Sequence, residues 1–173
     1  MKGLAGISSR TLWVIAALSA VLTAVLSVKL FAINEALKPY GIVCYEFAWS
    51  AERAMRMYSA WGEAGREAAR SSLRYDVPYL LVYPFLFSSL TLLAARAASG
   101  WLAALGTWLA VAPFVAALLD ALEDLALWLA LDRFPQPPES LLRLAALAAG
   151  MKFLLLGASG LYALGMGLRR LKG

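Results

Sequence analysis

The 173-residue chain contains no histidine and a single cysteine, Cys44. A lone cysteine excludes an intrachain disulfide, and without histidine the usual zinc ligand sets cannot be assembled. Charge is scarce too. Asp, Glu, Lys and Arg make up 16% of the residues, against about 25% in ordinary soluble domains. Nucleophile motifs, phosphate-binding glycine loops and cysteine pairs are missing, so the common soluble-enzyme and redox classes find no support. There is no low-complexity segment. There is no internal repeat either, which argues against a self-contained transporter built from inverted halves.

What the chain has in excess is apolar surface. Hydrophobic residues reach 62%. Four runs are free of charge or nearly so: 11–28, 77–95, 97–119 and 144–168, the last interrupted only by Lys152. Each has the length of a bilayer crossing, roughly 17–25 residues. The predicted fold is therefore all-α: a polytopic membrane protein with four transmembrane helices in a bundle. It forms a single membrane domain over 1–173, with spans at about 11–33, 77–96, 101–131 and 141–168. Residues 1–33 have the basic start, apolar run and small residues of a secretory signal, and are read here as an anchoring span.

The net charge of +5 does not point to nucleic acid, because of where the charges fall. Lys2, Arg10, Arg96, Arg169, Arg170 and Lys172 lie at the two termini and the second connection, and no acid accompanies them. By the positive-inside rule these places are cytoplasmic. The first loop carries six bases from Lys38 to Arg74, but long segments obey that rule poorly. The expectation is a multi-pass protein of the cell membrane with both termini inside. Its expected partners are the lipid bilayer, a bound lipid, and a second copy or a larger membrane complex.

Lys38-Pro39-Tyr40-Gly41 should end the first helix. Residues 45–74 read as an amphipathic helix that does not cross, a cap between spans one and two. Ala51, Ala54, Tyr58 and Trp61 repeat at three and four, while Glu52 and Arg56 pair at i, i+4 on the wet side. Asp76-Val77-Pro78 looks like the start of the second span, with Asp as cap and Pro in the first turn. If the surface helix instead runs straight on, Pro78 should kink it. The third span should be one helix of about 31 residues. Gly157, Gly160, Gly165 and Gly167, with Ala163, suggest close helix packing along the fourth.

The stretch LLDALEDLALW (118–128) sets three carboxylates, Asp120, Glu123 and Asp124, inside an apolar run. Counted at 1.5 Å per residue from Trp101, Asp120 lies about 28 Å along its helix, near the outer boundary. Asp76 opens the inward second span at that level, and Lys152, roughly 25 Å back from Arg169, belongs there too. Asp120 and Asp124 are four apart and Glu123 is three from Asp120, so all three should point broadly one way, and Asp76, Tyr79 and Tyr83 share a face of span two. Charge inside a membrane normally faces the bundle and finds partners, so Lys152 should meet Asp120 or Asp124.

Three readings of this layer stay open: an ion-pair network that fixes packing, a polar pocket opening outward or sideways into lipid, and solvated carboxylates beyond the interface. The candidate residues are Asp76, Tyr79, Tyr83, Asp120, Glu123, Asp124 and Lys152. The acids could in principle hold a divalent cation, but no recognised spacing supports it, so no metal is assigned and the cofactor is unknown. The expected function is binding of a lipid or other amphiphile at the outer polar layer. The alternatives are an enzyme acting on a lipid-soluble substrate and a structural or accessory subunit.

The Asp76–Tyr83 spacing, the Asp-Ala-Leu-Glu-Asp cluster at 120–124 and the Lys152-Phe153 pair resemble a family of small prokaryotic four-span membrane proteins. Its members carry Asp-x6-Tyr in span two and an Asp-x-x-Glu-Asn cluster in span three, where this chain has Asp124. The resemblance covers residues 61 to about 165, implies the four-span fold and brings no activity. In layout, and in Tyr83-Pro84-Phe85-Leu86-Phe87, the chain is also faintly similar to the membrane-associated eicosanoid and glutathione metabolism family. The His/Asn and Arg-x-x-x-Tyr features of that family are missing, so glutathione binding is not carried over.

Overall fold

The computed structural model describes residues 6–171. Lys2 and Lys172, two of the bases used to orient the chain, lie outside the described residues, as does the side chain of Arg170. Among the described residues every regular element is helical: α1 (Ser9–Glu35), α2 (Ile42–Glu46), α3 (Ala51–Arg96), α4 (Gly100–Leu109), α5 (Ala112–Asp132) and α6 (Glu139–Leu171). Four helical stretches are long and apolar enough to cross a membrane: α1, α3, the α4–α5 pair and α6. Burial points the same way. Only 11% of the most apolar stretch of α1 is covered, and Leu118, Leu154 and Leu161 are each at least 70% exposed. Apolar surface on that scale suits a membrane environment.

The chain divides into two compact units, with boundaries inside α1, α3, α5 and α6. The first unit comprises Met1–Thr23, Val82–Ala117 and Lys152–Gly173; the second comprises Ala24–Leu81 and Leu118–Met151.

In the second unit the expected cap is present in altered form. Residues 45–74 are not one helix. The chain leaves α1 through the turns at 36–40, and Asn34 Oδ1 accepts the Ile42 N–H at 2.8 Å at the start of α2. Gly41 takes a φ of +78° there, with Asn34 Oδ1 3.1 Å from where a Cβ would stand. After α2 the chain turns through residues 47–50, and α3 begins at Ala51. At Gly62 the helical geometry breaks, with φ 64° and ψ −164°, a region essentially confined to glycine. The predicted stripe holds: Ala54, Tyr58 and Trp61 are buried, and Glu52 pairs with Arg56.

These residues build an aromatic core. Tyr45 donates to the Leu127 carbonyl at 2.8 Å, so Tyr58 supplies the proton in the 2.5 Å bond between the two phenols. Burial, and then the neighbouring Tyr58, pushes the Tyr45 phenol well above its usual range. Trp61 packs edge-on to Tyr45 and donates Nε1–H to the Leu37 carbonyl at 2.7 Å. Arg66, Arg70 and Arg74 rise along α3 at i, i+4, i+8 beside the end of α5. Arg66 stacks over Phe134 (4.3 Å), Arg70 bonds Asp132 (3.1 Å) and Arg74 lies over Trp128 (5.0 Å).

The first unit is held differently. Leu12, Leu92 and Ala110 form a small buried cluster. Thr91 donates to the Phe87 carbonyl and receives the Ser159 hydroxyl at 2.7 Å, the hydroxyl contact expected between membrane helices. Tyr162 donates to the Leu102 carbonyl at 2.7 Å and lies against Gly106, where a Cβ would fall 2.3 Å from its oxygen. The expected 31-residue third helix is interrupted, since α4 ends at Leu109 and α5 begins at Ala112. Pro113 explains the break: it lacks an N–H, and its ring crowds the carbonyl four residues back, at Leu109.

Candidate functional site

Two of the acids that stood out in the sequence meet a third in the second unit. Asp120 and Asp124 occupy successive turns of α5, and Asp76 lies on α3. One carboxylate oxygen from each falls within 4.8 Å of the others. Asp120 is buried, at 4% exposure; Asp76 and Asp124 are half-buried. Asp76 is not a helix cap as expected, because α3 runs through it without interruption. The i, i+4 spacing brings the two α5 carboxylates to one face, and helical continuity fixes the third.

Glu123 does not belong to this trio. The expectation that all three α5 acids share one face is met by Asp120 and Asp124; one residue turns a helix by about 100°, which offsets Glu123 from Asp124, and Glu123 is fully buried. Tyr79 is half-buried in the second unit, whereas Tyr83 and Lys152 are buried in the first. Tyr83 stands edge-on to Phe87 at 6.4 Å, and the Lys152 ammonium lies 5.0 Å from the Phe153 ring centre.

Beside the cluster is a cavity of about 70 Å³ lined by Leu30, Ile42, Glu46, Ser72, Leu73, Asp76 and Asp124. Glu46 and Ser72 were not singled out from the sequence. Glu46 alone carried a signal, as an isolated acid within the apolar run Ile-Val-Cys-Tyr-Glu-Phe-Ala-Trp; Ser72 carried none. Carboxylates held this close make a favourable seat for positive charge. The spacing also matches cation geometry, since oxygens on opposite sides of a calcium ion, each at about 2.3–2.6 Å, stand roughly 5 Å apart.

No protein-family model, curated protein or solved structure matches this chain.

Proposed function

We propose that this is an integral membrane protein that binds an amphiphile with a cationic head, the head seated among Asp76, Asp120 and Asp124. The convergence of three carboxylate oxygens within 4.8 Å carries the reading. The cavity lining supports it, because acids and Ser72 stand beside Leu30, Ile42 and Leu73. An ammonium group and its first methylenes match such a mixed wall, with the remaining chain left to the bilayer. A volume of about 70 Å³ is far below the roughly 300–1,000 Å³ of sites that enclose a whole small molecule. That size weighs against an enzyme working on an engulfed substrate here.

The orientation belongs to the same proposal. All eleven acids of the chain fall in the second unit, and the first holds seven bases and none. The termini and the second connection, which carry bases and no acid, are then cytoplasmic. The resemblance to a prokaryotic four-span family, carried by Asp76, Tyr83, the 120–124 cluster and Lys152-Phe153, adds nothing to the choice of ligand.

A thermal-unfolding titration of the full chain in neutral detergent tests the reading, using dodecylamine with dodecanol as the uncharged control. The amine should raise Tm, the alcohol should not, and Asp120→Asn or Asp124→Asn should abolish the shift. An equal amine effect on both variants overturns the proposal. The oxygen spacing favours one second reading, a divalent cation. Stabilisation by calcium or magnesium, reversed by chelation and lost in the same variants, would establish that reading instead.

A further inference from the structure

The small residues of α6 do not pack as the sequence suggested. A Cβ at Gly157, Gly165 or Gly167 would meet nothing within 4 Å, and at Gly160 it would meet only Phe87, at 3.7 Å. Gly160, Ala163 and Gly167 instead wall an apolar groove of about 440 Å³ in the first unit, together with Trp13, Phe87 and Leu90. The groove shares Trp13, Leu93, Ala97 and Met166 with a polar recess of about 640 Å³ that carries Ser9, Ser99, Arg96 and Arg169. An apolar trough running into a basic, hydroxyl-bearing recess has the chemical profile of a lipid.

We propose that this is a seat for one anionic phospholipid, with an acyl chain along the groove and the phosphate beside Arg96 and Arg169. Charge complementarity selects the occupant. The first unit contains no Asp or Glu, so no carboxylate within it competes for the guanidinium groups. Arg96 donates to the Ser9 hydroxyl at 2.9 Å and to the Ile7 carbonyl. Those bonds tether it at the recess while using two of the five N–H groups of a guanidinium. The groove volume lies within the range of about 300–1,000 Å³ typical of small-molecule sites. Basic recesses between membrane helices are a recurrent means of holding lipid head groups. The seat uses no residue of the carboxylate site.

Native mass spectrometry of the full chain in neutral detergent tests this, with phosphatidylglycerol, phosphatidylcholine of the same chains, and inorganic phosphate as separate probes. Phosphatidylglycerol should be retained roughly tenfold better than phosphatidylcholine, and phosphate alone should not be retained. Arg169 is exposed, so Arg169→Gln should fold normally and bring the two lipids level. Gly167→Leu, which meets open space at its Cβ, should fill the groove and lower retention of both. Equal retention of the two lipids by the native chain overturns the proposal, as does a preference that survives Arg169→Gln combined with Arg96→Gln. Phosphate bound as well as lipid would remove the acyl chain from the site. A lipid-free dimer broken by Gly167→Leu would assign the groove to a second copy of the chain.

Discussion

Both units draw on the same four long helical stretches, yet each is held together by different means. The second buries fifteen side chains in one cluster, with Tyr45, Tyr58 and Trp61 at its centre, and ties its arginines to rings and acids. Among the described residues the first has a smaller apolar cluster, Leu12, Leu92 and Ala110, beside the Thr91–Ser159 contact and Tyr162 against Gly106. In lipid there is little hydrophobic gain in bringing helices together, so close backbone approach and a few hydroxyl contacts suffice. The unit rich in charge gathers its aromatic side chains into one core, and the unit without acids is tied by a small apolar cluster, a hydroxyl pair and one close approach at a glycine.

Substitutions can break that contrast. Trp61→Ala removes a core aromatic and its hydrogen bond to Leu37, and should cost about 3–5 kcal/mol in reversible unfolding. Leu161→Ala, at a position 72% exposed, should stay within about 0.5 kcal/mol. Similar losses from both would show that the units are stabilised alike.

Next in size are two glycines used for opposite reasons. Gly62→Ala places a Cβ where only glycine is comfortable and should cost about 1–3 kcal/mol, although the space around it is open. Gly106→Ala has ordinary helical geometry but drives into Tyr162. Overpacking there should cost about 1–3 kcal/mol. Tyr162→Ala in the Gly106→Ala background should recover part of the steric loss, whereas no partner change should rescue Gly62→Ala. Rescue absent at Gly106 would mean that the close approach is not what limits that site.

The smallest effect concerns the hydroxyl pair. Thr91→Val should lower stability by only about 0.6 kcal/mol, the mean for hydrogen bonds between membrane helices. A loss as large as that of Trp61→Ala would make the polar pair, rather than helix approach, the main tie of the first unit.

Much of this could be read from residue order alone, because the controlling physics is local. Four apolar runs of crossing length, the turn at 38–41, the Ala54–Tyr58–Trp61 stripe and the Glu52–Arg56 pair each depend on neighbours within a turn or two. The i, i+4 spacing of Asp120 and Asp124 was legible for the same reason. The absence of acids from both termini and the second connection was plain from the order of charges. What required the tertiary structure was every feature set by a distant partner. Local signals made Asp76 a cap, but packing carries α3 straight through it and brings its carboxylate to the α5 pair. Glu46 joins their cavity because α2 folds back after Gly41. The α6 glycines suggested tight packing, and a groove took its place, because a small residue permits close approach without supplying the helix that must approach.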